Sequence, residues 1–299
     1  MPTILCAGLI TVDLLFEISG FPVKGTKNRA ATSRLITGGG ALNAAWAVTR
    51  LGGKAHLAGE IGDDVFGIFL REKFKQRGID DCLVKMKPGA TTSSSAIMIS
   101  PDGDRTIINH RNYGWEQTKI DLPPDFPFDA ALVDTRWPEA ALQIINKAVL
   151  YGKPAIVDAE APVAKAIRTL KNASHVIFSQ QGLADFCGVN AGALNEAAHQ
   201  LGGWCAVTRG ALPVLFHDGR RLFEVPVSPV TAVNTLGAGD VWHAAFTFAL
   251  AKERSEIEAV HWANAAASLK VMRPFKMEDP PTSAEVDEFI EATQAKRMF

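Results

Sequence analysis

Short apolar runs alternate with stretches of helical periodicity along most of the chain. TILCAGLI is followed by ALNAAWAVTRLG, KAHLAGEIG and VFGIFLREKFKQRG. The alternation resumes with AALVD, EAALQIINKAVLYG, PAIVDA, VAKAIRTLKN, HVIFS, LNEAAHQLG and WCAVTRG. Strand followed by helix at this frequency predicts right-handed βαβ units building a mainly parallel sheet with helices on both faces. The pattern places residues 1–299 in one α/β domain, whose ligands should gather at the C-terminal ends of the strands.

Two stretches break the rhythm. Residues about 14–37 and 83–110 read as antiparallel strands, the second as a hairpin in which SSSAIMIS turns through PDGD into RTIINH. Insertions of this kind predict a small β-sheet beside the main one, placed to act as a lid.

A third feature lies at NTLGAGD, residues 234–240, which runs into VWHAAFTFALA with no charged residue from Val241 to Ala251. The apolar run predicts a buried helix opening at GAGD. Free N–H groups and the positive end of the helix dipole make such a start a site for an anion, and glycines let a phosphate approach the backbone. A carboxylate at Asp240 repels that anion unless it caps the helix or handles a proton.

Composition narrows the functions. Among 299 residues, 31 basic against 32 acidic side chains give a net charge of -1, which demands neither nucleic acid nor an anionic membrane as partner. No uncharged apolar run is long enough to span a bilayer, and the start carries Asp13 in place of a basic signal-peptide flank, so a cytoplasmic setting is expected. Cys6, Cys82, Cys187 and Cys205 form no CxxC pair, and the seven histidines show no HExxH or HxH spacing, so neither a zinc site nor a disulfide framework is signalled. GGGALNAAWAV imitates a dinucleotide fingerprint through Gly38, Gly40 and Glu60, but Asn43 stands where the third glycine belongs. A nicotinamide enzyme is therefore disfavoured, and no GK[ST] supplies a Walker-type loop.

GGGALNAAWAVTRLGGKAHLAGEIGDDVFG, VTRG at 207–210, NTLGAGDVWHAAF from 234 and ANAAASLKVMRP from 263 together resemble the two signatures and flanking segments of the PfkB or ribokinase family of carbohydrate kinases. The resemblance covers nearly the whole chain in the right order. It implies a ribokinase-like fold and phosphate transfer from ATP, with Mg2+, to a sugar hydroxyl. Asp240 matches the family's catalytic base, and the N–H groups of Gly237, Ala238 and Gly239 its anion hole. Asp13, Gly38, Gly39 and Asn43 match its sugar contacts, while Thr208, Gly210 and Asn264 fall where it holds the nucleotide. Pairing of lid edges in the family implies a homodimer.

The chain departs from the pattern in three places. Asn234 replaces the Asp that commonly helps hold a monovalent cation, and Phe275 replaces a usual glycine, which leaves potassium activation open. The family's Asn–Glu pair is missing near HVIFSQQGLADF, where only Ser179, Gln180 and Gln181 are available. Magnesium then falls to ATP, water and Asp158 or Glu160, and the metal ligands stay unassigned.

Lys27, Asn109 and Arg136 lie in segments expected to border the sugar, where a Lys and an Arg can pair with an anionic substituent. The competing reading leaves Lys27 solvated and pairs Arg136 with Asp134 or Glu139. SSSAIMISPDGDRTIIN with ALVDTRWPEAA is similar to the sulfofructose kinase branch, which implies 6-deoxy-6-sulfofructose phosphorylated on its 1-hydroxyl. Ribose, fructose, 2-keto-3-deoxygluconate or a phosphosugar are the alternatives, and a non-catalytic sugar or nucleotide sensor is the alternative class.

Overall fold

Buried residues change faces at every position of the first strand, β1 (Thr3–Ala7). Ile4 and Cys6 enter one apolar core, while Leu5 and Ala7 enter another. That period of two on a strand buried from both sides is what a central parallel strand requires. The computed structural model describes residues 1–100, 104–111, 114, 117–274 and 279–297.

In chain order β1 is followed by β2 (Thr11–Glu17), β3 (Thr32–Gly38), α1 (Gly40–Arg50), β4 (Lys54–Gly62), α2 (Val65–Gln76), β5 (Asp80–Lys87), β6 (Ser94–Ile99) and β7 (Arg105–His110). Then come β8 (Ala130–Asp134), α3 (Pro138–Leu150), β9 (Ala155–Ala159), α4 (Ile167–Asn172), β10 (His175–Ser179), α5 (Gln180–Cys187) and α6 (Ala193–Leu201). The chain closes with β11 (Trp204–Arg209), β12 (Leu212–His217), β13 (Leu222–Val225), α7 (Ala238–Ala251), α8 (Glu256–Met272) and α9 (Ser283–Arg297).

Nine strands form the large sheet in the order β13-β12-β11-β10-β9-β8-β1-β4-β5. The seven from β11 to β5 run parallel, and β12 and β13 extend the β11 edge as antiparallel strands. One core joins the sheet to α1, α7 and α8, and the other joins it to α3 and α6, so helices cover both faces as the alternation predicted. The apolar stretch of α7 is buried from Val241 to Ala249, and its neighbours are α1 and α8.

The small sheet has the order β3-β2-β6-β7, with antiparallel outer pairs and a parallel β2–β6 pair in the middle. Its extent differs from the sequence expectation at both ends. Thr11 already belongs to β2, and residues 83–87 belong to β5 of the large sheet. The second difference has a plain cause: β4, α2 and β5 make one more βαβ unit, whose last strand lies at a sheet edge and alternates like a hairpin strand. Turn residues 101–103 and Phe275 lie outside the described residues.

Candidate active site

The carboxylate of Asp240 accepts a hydrogen bond of 2.7 Å from Asn43 Nδ2 across 197 positions of sequence. Asn43 stands in the first turn of α1 and Asp240 in the first turn of α7, so two helix starts meet at one point. Both helices begin where glycine permits an unusual backbone. Gly39 precedes α1 with φ 93°, and an added Cβ there would lie 2.3 Å from the Leu9 carbonyl oxygen. Gly237 precedes α7 with φ 73° in the left-handed region.

Asp240 does not cap α7. The N-cap is Gly237, no side-chain cap bond is made, and the carboxylate turns to Asn43 instead. Of the amides expected to meet an anion, Ala238 N–H makes a long 3.3 Å bond to the Thr235 carbonyl, and Gly239 lies in the first turn, where the helix supplies no carbonyl partner.

Other carboxylates surround Asp240. The point where Gly40 would carry a Cβ lies 3.6 Å from Asp134 Oδ2, 3.6 Å from Asp240 Oδ1 and 3.7 Å from Asp158 Oδ2. Asp134 is committed to the scaffold, since Oδ2 accepts from Leu9 N–H at 2.7 Å and Oδ1 from Arg136 N–H at 2.8 Å. Burial, then the negative charge of Asp158, pushes Asp240 up to about 7, opposed by the Asn43 bond and His243. Burial, Glu160 and Asp134 raise Asp158 well above the usual carboxylate range. His243 Nε2 lies 3.5 Å from Asp158 Oδ1, and burial pushes that imidazole below its ordinary pKa against the pull of Asp240.

Asp13, Asn43 and Gly237 line one cleft. Asp13 is 7% exposed, its Oδ1 has no hydrogen-bond partner, and burial raises its pKa against the influence of Ser95 and Arg111. An unsatisfied carboxylate oxygen facing a cleft is poised to accept from a ligand hydroxyl. Gly38 allows that placement, because a Cβ there would stand 2.1 Å from Asp13 Oδ2.

The remaining expected residues are more scattered. Thr208 and Gly210 stand at the C-terminal end of β11, where Thr208 pairs in register with Ser179 of β10. Ser179 caps α5 by accepting from Gly182 N–H at 2.9 Å, while Gln180 and Gln181 are exposed. Asn264 is buried with both ends of its amide engaged, Oδ1 by Trp242 Nε1 at 2.7 Å and Nδ2 by the Pro226 carbonyl at 3.3 Å. Its bond to Trp242 links α8 to α7. Lys27 is exposed in the segment between β2 and β3, and Asn109 is exposed on β7. Arg136 donates to Glu160 Oε2 at 3.2 Å and to the Ala161 carbonyl at 2.8 Å, so its carboxylate partner is Glu160, not Asp134 or Glu139.

Sequence reasoning missed two cations. Arg34 and the buried Lys270 line the same cleft as Asp13 and Asn43. Arg34 lies 3.7 Å from Glu17 across the β2–β3 pair. Its place just before the glycine run is a signal the sequence contained. Lys270 gave none, since a lysine near a helix C-terminus normally faces water. Asn234 is buried too: its Oδ1 accepts from Leu236 N–H at 3.0 Å, which gives the amide a turn-forming task of its own.

The profile described as pfkB family carbohydrate kinase matches residues 1–282. Ribokinase from Bacillus subtilis is 26% identical over 302 residues, covering 97% of this chain and 100% of that protein. Mouse ketohexokinase is 26% identical over 296 residues, covering 89% and 95%. Among solved structures, a candidate ribokinase from Agrobacterium tumefaciens superposes with a TM-score of 0.91 at 30% identity, covering 100% of this chain and 99% of that one. Arabidopsis thaliana ribokinase, solved with ribose and ATP, gives 0.82 at 22% identity over 97% and 99%, a likeness of fold.

Proposed function

The chain belongs to the pfkB family of carbohydrate kinases and is a phosphotransferase with an alcohol group as acceptor; we propose that it moves the γ-phosphate of ATP to a sugar hydroxyl with Asp240 as general base. The observation that carries this reading is the Asn43–Asp240 bond. It holds a carboxylate of pKa about 7 beside glycine amides at the start of α7, next to the cleft that Asp13 lines. A base titrating near the working pH combines a useful ionised fraction with proton affinity.

In the step itself, a sugar oxygen forms its bond to the γ-phosphorus while its proton passes to an Asp240 carboxylate oxygen. The bond from that phosphorus to the bridging oxygen breaks, and ADP leaves with the electron pair. The amides of residues 237–239 face the negative charge that develops. Asp13, with Asn43 and the Gly38–Gly39 turn, holds the sugar, and Thr208 and Gly210 border the nucleotide. Mg2+ brought with ATP would neutralise phosphate charge. The hard oxygen donors of Asp158 and Glu160 suit such an ion, whereas Asp134 has both oxygens already engaged.

For the acceptor we propose an anionic sugar, 6-deoxy-6-sulfofructose first. Support comes from Arg34 and Lys270 in the cleft beside Asp13, together with Lys27, Asn109 and Arg136 in the bordering segments. The bond from Arg136 to Glu160 favours a second reading, a neutral acceptor such as ribose or fructose. ADP release with 6-deoxy-6-sulfofructose, fructose, fructose 6-phosphate, ribose and 2-keto-3-deoxygluconate separates the two. The sulfosugar should lead its neutral counterpart fructose by at least about tenfold in kcat/KM, the worth of one charge-assisted hydrogen bond of roughly 1.5 kcal/mol. Turnover confined to neutral sugars would overturn the anionic reading and keep the kinase.

A homodimer through the small sheet is part of the same proposal. Leu35 on β3 and Ile108 on β7 are exposed on the same face of that sheet, in register through Leu14 and Ala96, an arrangement that favours a covered face. Sedimentation equilibrium should give twice the chain mass, and Ile108→Lys should return it to one; a monomeric wild type would dismiss the idea.

A further inference from the structure

The large sheet carries a second constellation at the end opposite the candidate active site. His56 is the third residue of β4, and Asp80 and Cys82 open β5 beside it. One ligand atom from each lies within 4.8 Å of the other two. We propose that His56, Asp80 and Cys82 bind a zinc ion.

Register explains how two strands supply the three donors. His56 pairs with Asp80 and Ala58 with Leu83, so β5 carries one more residue than β4 across that interval. The bulge takes in Asp81 and Cys82, and bulges of this kind re-aim side chains. Asp80 holds the turn through its Oδ1, which accepts from Cys82 N–H at 3.1 Å, and leaves Oδ2 facing His56 Nδ1 at 3.1 Å.

His56 is what makes this more than a surface acid beside a cysteine. The residue is 3% exposed, and neither ring nitrogen makes a hydrogen bond of acceptable geometry. Phe126 meets the imidazole edge-on at 4.7 Å and helps to fix the ring. A buried imidazole nitrogen without a hydrogen bond is costly in a folded protein, and a metal ion would take up the lone pair of one of the two.

Donor chemistry selects the ion. Thiolate, imidazole and carboxylate together suit zinc, with water in the fourth position. Zinc bonds of about 2.0–2.3 Å in tetrahedral geometry need ligand atoms roughly 3.3–3.8 Å apart, so side chains already within 4.8 Å close on the ion through small rotations. Lys54 Nζ, 4.0 Å from Asp80 Oδ2, is half-exposed and free to swing into water. Zinc displaces the thiol proton of Cys82 into solvent as it binds. The ion would tie edge strand β5 to β4. No spacing motif marks the site, because its ligands come from two strands joined through α2.

The test uses the full chain dialysed against a chelator, then titrated with Zn2+ in competition with a chromophoric chelator and with Co2+ by absorption. Wild type should take up one equivalent of each metal and show a thiolate-to-cobalt charge-transfer band. Cys82→Ser should lose the band and bind zinc at least about tenfold more weakly, while Cys187→Ser, at a cysteine outside the cluster, should keep both. Asp80→Asn should retain the band but weaken zinc similarly, and it decides the matter should Cys82→Ser fail to fold. Zinc affinity unchanged in Cys82→Ser or Asp80→Asn, or no uptake by the wild type, would overturn the assignment.

Discussion

Asp240→Asn is expected to lower kcat by about 10²–10⁴-fold, the usual worth of general-base help, without lowering the melting temperature. Asparagine keeps an oxygen for the Asn43 bond and loses only the capacity to take a proton. Stability separates this from a capping role, which would cost about 1 kcal/mol on substitution. The folded-state pKa of Asp240 is raised from 3.8 to about 7, so the folded chain binds the proton more tightly than the unfolded one. The ionised carboxylate therefore opposes folding increasingly as pH rises from 3.8 to about 7, and fully above it. At about pH 8 the variant should melt at or above the wild-type temperature, since an amide lacks that penalty. The wild-type pH profile should carry the same signature: kcat/KM falls as pH drops through about 7, because the protonated acid accepts nothing. A residual rate in Asp240→Asn that keeps the same acid limb would assign that limb to another group and remove Asp240 from the base role.

How much of this was legible beforehand depended on how local each feature is. The parallel sheet shows in the alternation of TILCAGLI with ALNAAWAVTRLG because burial on both faces imposes a repeating composition on strand and helix. Residues 83–87 went to the wrong sheet for the converse reason. β5 is a half-exposed edge strand, and half-exposed strands alternate alike in parallel and antiparallel surroundings. The glycines and Asp240 could be read at α7 because a helix start has local rules. Their partner could not: Asn43 lies 197 positions away, and only the packing of α1 on α7 brings it to the carboxylate. Arg34 and Lys270 illustrate the same limit, since which charged side chains face a cleft depends on how the small sheet sits over the large one. Asn264 shows that limit from another side. An amide inside a helix invites a ligand, yet Trp242 and Pro226 use both of its ends.

Gly38→Ala should reduce kcat/KM toward the sugar by about 10²-fold, the loss that a displacement of about 1 Å at a reacting centre can bring. The added methyl would lie 2.1 Å from Asp13 Oδ2 and 2.5 Å from its Cγ, well inside contact distance, so the carboxylate or the backbone must yield. Asp13 has little room, being 7% exposed on β2 and close to Ser95 on the paired strand β6. The last pair of the β2–β3 ladder, Thr11 with Gly38, leads directly into the Gly39 turn, so backbone movement would carry the start of α1 and Asn43 with it. Either response misplaces a group proposed to hold the sugar, while Thr208 on β11 and Gly210 in the turn after it lie elsewhere in the fold. KM for the sugar should therefore rise and KM for ATP stay near the wild-type value, with assays run below the variant's melting temperature, since overpacking costs roughly 1–3 kcal/mol of stability. Gly203→Ala is the control, because nothing lies within 4 Å of a Cβ there. If Gly38→Ala impaired both substrates equally, the glycine would serve folding alone; if it left sugar KM untouched, Asp13 would not hold the acceptor.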